Sequence, residues 1–259
     1  MRLDEITISK AIIETFSKDL VGSLDLEVAI AGAGPAGLTA GFYLAQGGVK
    51  TTIFERNLRV GGGMPGGGIM FNKIVVQEPA REILEKMKIK HQEYQKGYYT
   101  ASSLEATSAL TYRTIRAGVK IFNLIGVEDV IVQEGRVNGF VINWGAVKLA
   151  GLHVDPIGIR FKMGMDATGH QCEVIRKLEE KGRVRLATSS GKIVGEGPMW
   201  AEKGEEAILD NTREVFPGLY VAGMAANAVF GGPRMGPIFG GMLLSGKKAA
   251  QLIIKELKG

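Results

Sequence analysis

Residues Leu26 to Arg56 read LEVAIAGAGPAGLTAGFYLAQGGVKTTIFER. The apolar run Val28 to Ala31 predicts a buried strand, and the turn Gly32-Ala33-Gly34-Pro35-Ala36-Gly37 follows it. An apolar helix then runs to about Gln46, Gly47-Gly48 stops it, and Thr51 to Phe54 make a second strand ending at Glu55. Each small residue in the turn has a chemical reason. Gly32 permits the tight turn, Gly34 lets a pyrophosphate approach the backbone, and Gly37 lets helix and strand pack closely. The phosphates would sit on free amides at a helix N-terminus, where the dipole favours negative charge. Glu55 falls about 20 residues downstream, where an acid accepts hydrogen bonds from the adenosine ribose. A lone glycine turn is a weak signal. Strand, turn, helix, second strand and terminal acid in register specify a unit that binds an adenine dinucleotide.

The rest of the chain is read against this unit. The 259 residues include 45% hydrophobic and 23% charged side chains, ordinary for a globular protein with a full core. The 37 glycines cluster at Gly32–Gly37, Gly61–Gly68 and Gly231–Gly241, which points to backbone–ligand contacts rather than low complexity. The single cysteine, Cys172, excludes an internal disulfide and fits a reducing cytoplasm. The net charge of +5 is scattered and predicts solvated surface, with no stripe for nucleic acid. Val28 to Val49 carries few charges, yet six glycines and a proline within it argue against a membrane span. The start, MRLDEITISK, has acids where a signal peptide needs a basic flank and an apolar run. A soluble cytoplasmic protein is expected.

In chain order, Asp4 to Leu20 predicts an amphipathic helix, with Ile8, Ile12 and Phe16 on one face, lying outside the core or against another subunit. The run Gly61–Gly68 has no side chains with which to build a core, so it either wraps a ligand or acts as a linker, and its place after Glu55 favours the ligand. Helices are expected over Pro79–Lys88, Ala101–Ala117, Glu173–Gly182 and Gly240–Leu257. Strands are expected at Val119–Leu124, Ile159–Asp166 and Leu219–Gly223, with a hairpin of Val130–Gln133 and Val137–Ile142. The order is a βαβ unit at 26–56, an inserted antiparallel layer at about 127–165, and a return to the first sheet, all in a single dinucleotide-binding domain. That order resembles the glutathione-reductase-like FAD/NAD(P)-binding fold, an α/β class with a mostly parallel central sheet.

Three candidate ligands lie near one another in sequence: His153 and Asp155 before Pro156, and His170 after Ala167-Thr168-Gly169. If His153 to Asp155 is extended, alternation places both side chains on one face. Two histidines and a carboxylate make an open Fe(II) site, while loop histidines and aspartates commonly bond to backbone or water. Arg234 stands alone in Gly231-Gly232-Pro233-Arg234-Met235-Gly236-Pro237, where a guanidinium either forks onto a substrate carboxylate or pairs across a subunit interface. Cys172 is either a low-pKa nucleophile or a buried inert thiol. A flavin oxidoreductase of the same fold is the competing function. Such enzymes usually carry Gly-Asp at a late strand end, and this chain has Gly223-Met224 there.

Taken together, the GAGPAG turn, Phe54-Glu55-Arg56, the Gly61–Gly68 loop, His153-Val154-Asp155-Pro156, Ala167-Thr168-Gly169-His170 and Gly232–Pro237 resemble the thiamine thiazole synthase family, in its archaeal, sulfide-dependent form. The resemblance covers nearly the whole chain, from Ala11 to the final helix. It implies an NAD-consuming transferase, a sulfide-dependent ADP-thiazole synthase. NAD is then a substrate: its ADP-ribose portion condenses with glycine through an imine, sulfur enters, and ring closure gives an ADP-linked thiazole carboxylate. His153 occupies the place of the cysteine that donates sulfur in the yeast-like branch, which implies free sulfide and repeated turnover. The family assigns Fe(II) to Asp155 and His170, shared between adjacent subunits of a homo-oligomer, an octamer by resemblance. By the same match His153 is catalytic and reaches the nucleotide. Ala36, Glu55, Arg56, Gly63, Val127 and Met224 contact it as well, beside the turn glycines Gly32, Gly34 and Gly37. Arg234 holds glycine. Gln171-Cys172 departs from the expected acid and small residue.

Overall fold

The computed structural model describes residues 2–259. In chain order the N-terminal part holds α1 (Glu5–Val21), β1 (Asp25–Ala31), α2 (Pro35–Gln46), β2 (Thr51–Glu55), β3 (Lys73–Gln77), α3 (Glu78–Met87), β4 (His91–Gln95), β5 (Tyr98–Ser102) and α4 (Ser103–Arg116). There follow β6 (Lys120–Asn123), β7 (Ile125–Gln133), β8 (Arg136–Trp144), the short α5 (Gly145–Leu149), β9 (Ile157–Asp166) and α6 (Glu173–Gly182). The last part holds α7 (Ala201–Asn211), β10 (Arg213–Phe216), β11 (Leu219–Val221), α8 (Met224–Phe230) and α9 (Gly240–Lys258).

Among the described residues these strands form an eight-stranded sheet and a separate three-stranded one. The main sheet runs β10-β11-β9-β1-β2-β6 and is parallel except at β10. Register aligns the strand ends: Ala31 faces Phe54 on one side and Asp166 on the other, and Asp166 faces Val221. Strand β9 serves two layers. Its first residues, Ile157 to Arg160, pair antiparallel with β8, and its last, Gly164 to Asp166, pair parallel with β11 on that same side. The antiparallel layer expected at 127–165 is therefore the hairpin β7–β8 continued into the main sheet. This is the FAD/NAD(P)-binding α/β fold.

Two apolar cores cover the two faces. Val28 and Ile30 of β1 point into the core under α2, α3, α4 and α9, while Ala29 and Ala31 point into the one under α6, α8 and the β7–β8 hairpin. The expected strand Val119–Leu124 is β6, which ends at Asn123. Leu124 adopts φ +61, which turns the chain from β6, beside β2, into β7, beside β8. The three-stranded antiparallel sheet β3-β5-β4 has no counterpart in the sequence reading. Ile74 and Val76 of β3, with Tyr99 and Ala101 of β5, are buried against α3 and α9, so this sheet is held by its packing on those helices. It also displaces the start of the expected helix at Ala101, which belongs to β5; Ser102 then caps α4 by accepting from the Glu105 amide. Helix α1 buries none of its residues. Ile8 and Ile12 are exposed, and Phe16 makes an edge contact with Phe122 at 5.7 Å between ring centres.

Candidate active site

Gly32 has φ +97, and a Cβ there would lie 2.6 Å from the Ala167 carbonyl oxygen. At Gly37 a Cβ would lie 2.0 Å from the Gly32 oxygen, so any larger residue pushes α2 off the turn. At Gly34 a Cβ would meet nothing within 4 Å. That space is what a bound phosphate needs. Gly34 begins α2 in an extended conformation, no side chain caps it, and Pro35 takes the first helical position. The amides of the first turn therefore remain free to bind an anion.

A cavity of about 430 Å³ opens at this turn. Gly32, Gly34, Ala36, Glu55, Arg56, Gly63, Val127, Met224 and His170 all line it. Gly37 lies behind it, as packing. Glu55 is almost fully buried and accepts from the Ala33 amide at 2.8 Å and from the amide and side chain of Asn57 at 2.9 and 2.7 Å. It thus clamps the phosphate turn to the second strand. The second glycine run joins the same wall: Gly61 donates to the Ala33 carbonyl at 2.8 Å, and Met64 is buried beneath it. Arg56 forms an ion pair with Glu173 at the start of α6.

His170 owes its place to Asp166, which is fully buried at the end of β9. One carboxylate oxygen accepts from the amide and hydroxyl of Thr168, at 2.9 and 2.7 Å, and the other from the amides of Val174 and Ile175, both at 3.0 Å. Asp166 therefore shapes the loop carrying His170 and satisfies the first turn of α6 together. Burial pushes its carboxyl up, and these hydrogen bonds oppose the rise. Cys172 is fully buried, and burial, with Asp166 nearby, pushes its thiol up to about 12. Burial of this kind disfavours the reactive thiolate.

The three ligand candidates do not converge within one chain. Residues 152–156 form no strand and are exposed, and neither His153 nor Asp155 lines the cavity. Among the described residues there is no group of three metal-binding side chains. The partner of His170 is a residue that sequence reasoning passed over: its Nδ1 lies 2.8 Å from both carboxylate oxygens of Glu196. The available signal was an acid set in Gly195-Glu196-Gly197-Pro198, the same pattern that drew attention to Arg234.

Arg234 stands at a second cavity, with Glu196, Met199 and Pro237. The two cavities meet at Gly236 and Phe239. The strip 194–197 runs beside the glycine-rich segment, with Gly195 donating to Ala228 at 2.9 Å and Gly197 to Gly232 at 3.1 Å. Buried Asn227 secures that segment by donating to the carbonyls of Gly204 and Pro233, both at 3.1 Å. The Arg234 side chain is exposed, and no ion pair engages it among the described residues.

Comparison with known proteins places this geometry. The model of the Thi4 family matches residues 9–239. A thiamine thiazole synthase of Methanothermobacter thermautotrophicus is 55% identical over 258 residues, covering 100% of both chains. One of Pyrococcus abyssi is 55% identical over 98% of this chain and 99% of its own. The crystal structure of Thermovibrio ammonificans THI4 superposes with a TM-score of 0.97 at 47% identity, covering 100% of both chains. A geranylgeranyl bacteriochlorophyll reductase-like protein of Thermoplasma acidophilum, at 15% identity and a TM-score of 0.52 over 90% of this chain and 79% of its own, shares the fold alone.

Proposed function

The chain belongs to the Thi4 family and acts in thiamine thiazole synthesis, and from that premise we propose its reaction: NAD, glycine and sulfide are converted to an ADP-linked thiazole carboxylate. One observation carries the reading. The phosphate turn, Glu55 and His170 share a cavity that adjoins, across the shared lining residues Gly236 and Phe239, the one where Arg234 stands. A dinucleotide with its adenosine at Glu55 and its pyrophosphate on α2 directs its second ribose toward that shared boundary. Arg234 forks onto the glycine carboxylate and presents the amine to the ribose.

Asp155 and His170 are the residues that would hold Fe(II). His170 fits, because its Nδ1 is engaged by Glu196 and its Nε2 is left for a ligand. Asp155 lies on an exposed coil outside the cavity of its own chain, beside exposed Leu152 and Val154, which supports a role at the cavity of a second copy. Bound Fe(II) supplies a centre that holds the soft sulfide anion. Free sulfide is favoured over a sulfur drawn from the protein, because the thiolate is the reactive form and Cys172 is buried with its thiol pushed up to about 12.

The test is anaerobic incubation with NAD, glycine, sulfide and Fe(II), counting product per subunit and weighing the intact protein afterwards. Several products per subunit with unchanged mass are expected, and Cys172→Ala behaves the same. Product stopping at one per subunit, with one sulfur lost from Cys172, overturns the reading.

A further inference from the structure

Glu196 sits on a strip that is hydrogen-bonded through its backbone on both sides, by Gly195 to Ala228 and by Gly197 to Gly232. Its side chain is 19% exposed, and His170 is its hydrogen-bond partner. Both carboxylate oxygens lie 2.8 Å from Nδ1 of the ring. A carboxylate only accepts hydrogen bonds, so Nδ1 carries the proton and the lone pair of the neutral ring is on Nε2. Turning the ring over would set a C–H against the carboxylate and forfeit the bond. His170 itself sits on the loop that Asp166 holds at the end of β9, so ring and carboxylate are fixed from two separate parts of the fold.

We propose that Glu196 is a positioning residue: it selects the His170 tautomer and ring orientation that present Nε2 as the metal-binding atom. The inference rests on the Fe(II) reading above, and it extends that reading to a residue outside the ligand pair. A carboxylate behind a ligating imidazole fixes the ring and raises its basicity, and losing it typically weakens metal binding about 10–100-fold. Glutamine in its place can offer its NH₂ to Nδ1, which moves the ring proton to Nε2 and removes the ligand lone pair.

The test is an anaerobic titration with Co(II), read by visible absorbance, on the intact protein and on His170→Ala, Glu196→Gln and Glu196→Ala. NAD affinity checks that each variant is folded. The expected result is Co(II) binding by the wild type, loss in His170→Ala, and binding weakened about 10-fold or more in both Glu196 variants with NAD affinity unchanged. If His170→Ala binds Co(II) as the wild type does, or the wild type binds none, the metal reading falls and this inference with it. If His170→Ala alone loses Co(II) while both Glu196 variants keep wild-type affinity and spectrum, the metal reading stands and the role of Glu196 is overturned.

Discussion

Glu55 shows how one side chain serves two purposes. It clamps the phosphate turn through Ala33 and closes the β2 end through Asn57, and it lines the cavity where a ribose would bind. Losing hydrogen bonds to a charged group costs about 1.5–3 kcal/mol, so Glu55→Ala should weaken NAD binding roughly 10–150-fold. It should also lower the melting temperature, because the Ala33 amide loses its buried acceptor. Calorimetry that returns wild-type NAD affinity would count against the nucleotide site. Arg234 has the opposite character: its side chain is exposed and holds nothing in the fold, so changing it should be silent for stability. Lysine keeps the charge but loses the fork, and Arg234→Lys should raise the KM for glycine while leaving NAD affinity intact. Unaltered kinetics at limiting glycine would move the carboxylate partner elsewhere.

The element of interest is the junction of α7, α9 and β3. Glu205 of α7 lies under the first turn of α9, accepts from the Gly241 amide, and takes the side-chain amide of Gln77 at the end of β3. Burial pushes its carboxyl up to about 7 from an ordinary 4.5. The sign follows from the proton count. Below pH 4.5 the group is neutral in folded and unfolded chains alike. Between there and about 7 the unfolded chain releases its proton while the folded one keeps it, so stability falls as pH rises. Glu205→Gln removes this dependence, and the stability lost between about pH 5 and 8 should shrink by about 2 kcal/mol in urea unfolding at one protein concentration. Parallel pH profiles for variant and wild type would show that Glu205 titrates normally.

At the scale of the molecule, the separation of Asp155 from His170 makes a prediction about copies of the chain. The loop bearing Asp155 is exposed, as are Leu149, Leu152 and Val154 around it and Ile6, Ile8, Ile12 and Ile13 of α1. If each site takes Asp155 from one copy and His170 from another, Asp155→Ala and His170→Ala should each be inactive alone. Random reassembly of an equal mixture should then restore about a quarter of wild-type activity, since each site draws its two residues independently from symmetric copies. A mixture as inactive as its components would mean that both residues act within one chain. Among the described residues no helix is long and apolar enough to cross a membrane.

What the sequence determined by itself is local or periodic. The three turn glycines, the strand before them and Glu55 are readable because each answers a constraint set within about 25 residues by backbone sterics and the βαβ path. Helix α6 is legible from Glu173 to Gly182 for the same reason, its apolar stripe being continuous. The tertiary structure alone decided what depends on distant segments meeting. Strands β3, β4 and β5 are too short and mixed to declare themselves; β3 and β5 are strands because α3 and α9 cover one face of them, and the exposed β4 because it pairs with β5. Glu196 lies 26 residues from His170, and only the pairing of 195–197 with 228–232 brings the two together. Asp166 reads in sequence as a strand end, and its position beneath the first turn of α6 makes it the residue that holds the His170 loop. The physical reason is common to all of these: spacing along a chain encodes neighbours within an element, whereas a buried polar contact is specified by which elements pack, and that is a property of the whole fold.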